Sequence, residues 1–225
     1  MTRFPSRILV LLIWTATLAS SANGQNADAK GKIEALLKQS AKEFLAVIDN
    51  VSPEQWNFKA GNIRHSIGEE AEHVSFAEQE LQKVILAALK NGNDPPKAAE
   101  LKGKEEKVRE LMLEGGKGAE NFRPRGRINS RLEVLEYFSA AHNKLLQLLA
   151  GAQGLDTHIY KHPNKDYGEL TVRQWFYYVA YHKQRHAKQI EAIKAHPDYP
   201  GRVRKASLDP RTQQAEPRAL PSGSR

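Results

Sequence analysis

The chain has 225 residues, enough for one substantial domain with flanking segments, and no cysteine, which excludes disulfides, a lipid-modified cysteine and a thiol nucleophile. Its formal charge of +8 is unevenly spread: Arg3 and Arg7 give the first residues +2, and six basic against two acidic residues after Tyr199 give the end +4, so about +2 remains between them. With that near-neutral balance a basic face for nucleic acid is not indicated.

Residues 1–24 read as an export signal. Arg3 and Arg7 precede the apolar run Ile8 to Leu18, and Ala19-Ser20-Ser21-Ala22-Asn23-Gly24 offers small residues for cleavage after Ala22 or Gly24. The run is shorter than the roughly 20 residues of a membrane-spanning helix. The expectation is an exported (periplasmic or extracellular) protein with no stable membrane insertion once the signal is removed. An uncleaved anchor is the alternative.

A polar lead-in, residues 25–31, opens the domain expected over 25–199. The first core helix follows from Ile33, Leu37, Phe44, Ile48 and Val51 at helical spacing, and Ser52-Pro53-Glu54 stops it. The linker Trp56 to Asn62 is turn-like, but its two aromatics predict packing back on the domain. The second helix starts at Ser66, with Glu69 completing a capping box, and ends near Lys90 before Asn91-Gly92-Asn93-Asp94-Pro95-Pro96. A charged helix over about 97–113 and a glycine- and arginine-rich stretch to Arg127 read as an insertion rather than a core element.

The third core helix starts at Ser130, with Glu133 as its capping partner. Leu132, Leu135, Phe138, Leu145 and Leu149 form its expected buried stripe, and Gly151 ends it. The fourth starts at Thr171, with Gln174 three residues on, and runs out at His196-Pro197. No segment alternates like a strand and no repeat is visible. The predicted fold is all-α: a four-helix bundle with an extra helical insertion between the second and third core helices. Residues 200–225 combine Pro, Ser, Gly, Gln and Arg with few apolar groups and read as a disordered basic tail.

The fourth helix carries the strongest chemical signal. Its apolar stripe passes through Val172, Trp175, Phe176 and Val179, then His182 and His186, then Ile190 and Ile193. Two histidines replace apolar residues one turn apart on a face that should be buried. A buried imidazole left unsatisfied costs about 1–3 kcal/mol, so the pair fits a shared partner such as a metal; core histidines are the other reading. His73 lies about 40° from Ala77 and about 20° from Val84 around the second helix, at the edge of its inward stripe. His142 falls on the stripe of the third helix, as a further pocket residue or as a core histidine bonded to a carbonyl. His65, His158, His162 and His196 fall at helix ends or in loops and are expected to be solvated. Glu69 and Glu70 stand one turn before His73, placed to orient it or act as a base, though Glu69 also fits the cap. Tyr178 and Gln189 are placed to line a pocket, with aromatic packing the plainer role for Tyr178. No zinc-protease or phosphate-loop motif is present.

Two blocks resemble a known family. Ser66-Ile67-Gly68-Glu69-Glu70-Ala71-Glu72-His73, preceded by Val51-Ser52-Pro53-Glu54-Gln55, is similar to the first half of the DinB-like superfamily motif. Gly168-Glu169-Leu170-Thr171-Val172-Arg173-Gln174, leading to His182 through Ile190, is similar to the second. The resemblance implies a four-helix bundle holding a divalent metal through three histidines, here His73, His182 and His186. It also implies chemistry of the kind known for relatives, thiol-dependent transferases and maleylpyruvate isomerases. The chain departs from the pattern at His65, where the family often has Trp.

Three imidazoles without sulfur suit zinc or nickel, with cobalt, iron or copper as alternatives. The expected function is that of a metal-dependent enzyme, a thiol-linked transferase or a hydrolase; the alternative is a non-catalytic metal- or ligand-binding bundle. The expected partner is a small-molecule substrate, with no nucleic acid, and a homodimer is one option. The pocket is expected to open beside His73, with the linker from Trp56 to His65 at its rim.

Overall fold

The computed structural model describes residues 8–61, 63–114 and 123–201, with side chains from residue 27 onward. The elements are α1 (Ile8–Val47), α2 (Pro53–Asn57), α3 (Ile67–Asn91), α4 (Pro95–Glu100), α5 (Glu105–Glu114), α6 (Arg131–Gly151), β1 (Ile159–Lys161), β2 (Glu169–Thr171) and α7 (Val172–Lys194). The four long helices form the bundle. α1 packs on α6 and α7, and α3 packs on the same two, which gives the ring order α1, α7, α3, α6. Among the described residues no helix is long and apolar enough to cross a membrane.

Local chemistry sets the helix starts. Ser66 Oγ accepts from the Glu69 N–H, and Glu69 Oε2 accepts from the Ser66 N–H at 2.8 Å, a complete capping box. Thr171 and Gln174 repeat it at α7. Ser52 and Gln55 form a third box at α2, where the sequence suggested only a stop. At α6 the box is incomplete. Ser130 Oγ takes the Glu133 N–H, but the Glu133 carboxylate reaches the Asn129 N–H at 3.0 Å.

Several expectations need correcting. Residues 25–31 are not a lead-in: they are helical, Ala29 is buried, and Lys30 donates to the Ala150 carbonyl at 2.8 Å. Alanine and lysine are strong helix formers, and together they carry the backbone through Gly31. α1 ends at Val47, earlier than Val51, and Asn50 has φ of 52° in the turn that follows. The charged helix over 97–113 is two helices, broken where Gly103 takes φ of 82°. This insertion reaches the core, since Val108 and Met112 are buried against α7 residues. Two strands exist, pairing Ile159 with Thr171 and Lys161 with Glu169; at three residues each they are too short to show alternation. Gly92 lets the hairpin sit against the end of α3, because a Cβ there would lie 2.1 Å from the Ile159 carbonyl oxygen. Leu132 is 74 % exposed, and the buried face of α6 is Val134, Phe138, Ala141, His142, Leu145 and Leu149.

The export-signal reading concerns residues 1–24. Of these, 1–7 lie outside the described residues, as do the side chains of the rest. The tail from 202 onward also lies outside them.

α3 and α7 run antiparallel. Glu70, early in α3, reaches His186, late in α7, while Gly92 just past α3 meets Ile159 in the hairpin that leads into α7. The core has two apolar halves. One gathers Ile33, Leu37, Leu81, Ile85, Leu145, Trp175 and Phe176. The other gathers Phe44, Ile48, Ile67, Val74, Phe138 and Ile190, with the Phe44 and Phe138 rings 4.9 Å apart. Between them every long helix contributes buried polar residues: Ser40, Ser75, Glu78, His142, His182, Lys183 and His186.

Candidate metal centre

The antiparallel α3 and α7 bring His73, His182 and His186 together. Their ligand nitrogens all lie within 4.8 Å of one another. His182 Nε2 is 3.2 Å from His73 Nε2 and 3.2 Å from His186 Nε2. His182 and His186 are buried, and His73 is the most exposed of the three.

Glu70 sets one ligand's state. Its Oε2 is 2.6 Å from His186 Nδ1 and its Oε1 is 3.0 Å from His65 Nδ1. A carboxylate only accepts, so His186 carries its proton on Nδ1 and turns the lone pair of Nε2 inward. Burial pushes the Glu70 carboxyl up, but the two imidazoles more than offset this and hold it at about 2. The sequence offered Glu70 as a partner for His73; the structure gives it His186 and His65 instead. Burial, reinforced by His186 and His73, pushes His182 well below its ordinary value, so this imidazole is neutral.

These donors fit a divalent cation. Three converging imidazole nitrogens, with His182 neutral and His186 held through Nδ1, are the kind of donor set that a divalent cation takes. Three imidazoles with no sulfur also match zinc-type coordination, with one position left open. His142 is outside the converging group; its Nδ1 lies 2.8 Å from Glu78 Oε1, whose other oxygen takes Lys183 Nζ at 2.9 Å. It is a core histidine bonded to a carboxylate, where the sequence suggested a carbonyl.

Other sequence assignments shift. His162 is buried rather than solvated, enclosed by Tyr167, Trp175 and Tyr178 with ring centroids 4.4, 5.1 and 4.8 Å away. Tyr178 in turn stacks on His182 at 6.3 Å. Trp56 is not at a rim. It is buried against Gly68, where a Cβ would stand 2.3 Å from its Nε1, and so it seats the first turn of α3. Glu69 caps α3 and pairs with Lys59 at 2.9 Å.

Glu72, next to His73, enters the sequence reading only as a member of the Ser66 to His73 block. Its buried carboxylate accepts from the backbone N–H groups of Arg125, Gly126 and Arg127 at 3.0, 2.8 and 3.2 Å, and from Arg127 Nε at 3.3 Å. Burial raises its pKa, but these donors outweigh it and the net shift is downward. The segment before α6 is thereby tied down beside the site.

A sequence model described as the DinB superfamily matches residues 36–190. The chain belongs to the DinB superfamily. The match spans the last 12 residues of α1, all three histidines and nearly all of α7. No curated protein and no solved structure matches the chain.

Proposed function

We propose that this DinB-superfamily chain is an exported metal-dependent enzyme that holds zinc or nickel through His73, His182 and His186. The observation that carries this reading is the convergence of three Nε2 atoms, one of them oriented by Glu70. When bound, a divalent ion supplies Lewis acidity at the open side of the site. The protein's own groups prepare that site. Glu70 fixes the His186 tautomer and also engages His65. Burial keeps His182 neutral. Glu72 ties the 125–127 backbone to α3 one residue before His73, which is the most exposed of the three histidines and so the side from which a substrate arrives. With no cysteine in the chain, any reacting thiol comes from a cosubstrate. The reaction classes proposed are thiol-linked group transfer and hydrolysis. His142 stands outside the group of converging nitrogens, which supports an open fourth position rather than a closed structural site.

The test is metal content of the purified full chain by elemental analysis, beside His182→Ala, His186→Ala and the double variant. The parent should carry near-stoichiometric metal and each variant should lose it. Full occupancy in the double variant rejects the site.

A further inference from the structure

One helical turn beyond His73, Phe76 begins a groove of about 530 Å³ that runs along α3 toward the hairpin. That volume suits a small molecule. Its walls include Phe76 and Lys83 from α3, Arg123, Arg125 and Arg127 from the segment before α6, and Tyr160 from β1. Glu80 also lines it and pairs with Lys83 at 2.6 Å. Glu72 balances Arg127 from behind at 3.3 Å. Lys83 and Arg127 are each matched by one of these carboxylates, and the Arg125 guanidinium adds a cation that neither of them offsets.

The arginines are displayed from a fixed backbone, since three consecutive N–H groups of their segment end on the buried Glu72 carboxylate. The Arg127 guanidinium stacks over the Phe76 ring at 3.5 Å and holds that aromatic wall in place. Tyr160 is 41 % exposed at the far side, a large ring left partly uncovered. A groove with apolar rings and excess guanidinium charge matches a ligand with an apolar or aromatic body and an oxyanion, because the guanidinium fork fits carboxylate and phosphate alike. Helix neighbours three apart have Cβ atoms about 5–6 Å apart, so a molecule whose reacting group lies at His73 has its next few ångströms over Phe76.

We propose that this groove binds the oxyanion-bearing, apolar arm of the substrate that reacts at the three-histidine centre. The position of the reacting group rests on the metal reading above; the anion site rests on the groove alone. Calorimetric titration of the zinc-loaded full chain with phenyl phosphate, benzoate and neutral phenol at low salt tests it. The two anions should bind and phenol should not, and the tighter anion identifies phosphate or carboxylate as the natural group. Arg125→Gln combined with Lys83→Gln should weaken the tighter anion about tenfold or more, the loss of one or more charge-assisted hydrogen bonds. Zinc content should be unchanged, because Glu72 is held by the backbone and not by the Arg125 side chain. Ala87→Trp, which fills the groove while keeping its charges, should weaken it similarly. Anion affinity within about twofold of the parent in both variants, or no binding of either anion below about 10 mM, overturns the proposal. The His182→Ala protein separates the two readings. Arginine-dependent anion binding that survives without zinc upholds the groove whatever the fate of the metal site, whereas a zinc-loaded parent with groove-independent binding rejects the groove alone.

Discussion

Replacing Glu70 by Gln tests how the site is preorganised. The carboxylate accepts from Nδ1 of both His186 and His65, at 2.6 and 3.0 Å. A glutamine keeps one acceptor oxygen and turns two N–H donors toward the other ring. If that ring is His186, its Nδ1 must become the acceptor, the proton moves to Nε2, and the ligand lone pair is lost. Keeping His186 correct instead turns the amide N–H group on His65. Loss of such an outer partner costs about 10–100-fold in metal affinity, or roughly 1.4–2.8 kcal/mol. Zinc affinity is read by competition with a chromophoric chelator at neutral pH, with a thermal melt of each variant as the folding control. His65→Ala leaves the shorter bond to His186 intact and should stay within about threefold of the parent. A Glu70→Gln protein that binds zinc within about twofold of the parent would refute the orienting role.

Gly68→Ala should destabilise the fold by about 1–3 kcal/mol in urea unfolding, because the new Cβ meets the buried Trp56 ring at 2.3 Å; unchanged stability would mean that Trp56 is not seated there. Lys183→Met should cost about 3–5 kcal/mol, since it leaves the Glu78 carboxylate buried without its cation; a loss below about 1 kcal/mol would contradict that pairing. Burial pushes the Glu78 carboxyl up, but Lys183 and His142 more than offset it, so it titrates below its ordinary 4.5. The unfolded chain therefore binds this proton first, and the stability it confers is complete above pH 4.5 and lost as pH falls through the lower, folded value. Acid destabilisation in that window should be shallower in Glu78→Gln, and identical slopes would exclude Glu78 as its source. Mass spectrometry of protein recovered outside the cytoplasm should find a first residue near Asn23 or Gln25, while an intact leader on membrane-bound protein would favour an anchor.

The sequence made the long helices legible because their start signals are local. Ser66 with Glu69 and Thr171 with Gln174 lie three residues apart, and the structure completes both boxes. The stripe through His182 and His186 was legible for the same reason. The turned face of α6 was not, because several leucines competed for the stripe and only packing against α1 and α3 selects Val134 over Leu132. The partners of the site were hidden by separation: Glu70 and His186 are 116 positions apart, and Glu78 and Lys183 are 105. A signal for the second pair did exist. Eleven residues is close to a whole number of turns, which puts Lys183 about 20° from Val172 and Glu78 about 20° from Ile67. Both charges therefore sat on stripes that had to be buried, and each needed a partner of opposite sign.

That buried pair explains why the histidines can hold their geometry. Glu78 on α3 takes Lys183 from α7 and His142 from α6, so three helices are fixed in register at the level where the core changes from one apolar half to the other. A slip of α7 along α3 by one turn, about 5.4 Å, would break the Lys183–Glu78 bond in a region where an unpaired charge is strongly disfavoured. The same slip would carry His182 and His186 away from His73. Register and ligand convergence are therefore fixed together, by packing above and below and by charge pairing between. The layer also favours the ligand state of the imidazoles. Burial is the main force holding His182 neutral, His186 and His73 add to it, and the cations of Arg185 and Lys183 act in the same direction. Lys183, which locks the bundle through Glu78, thus adds the smallest part of the effect that keeps a proton off the nitrogen facing both other ligands.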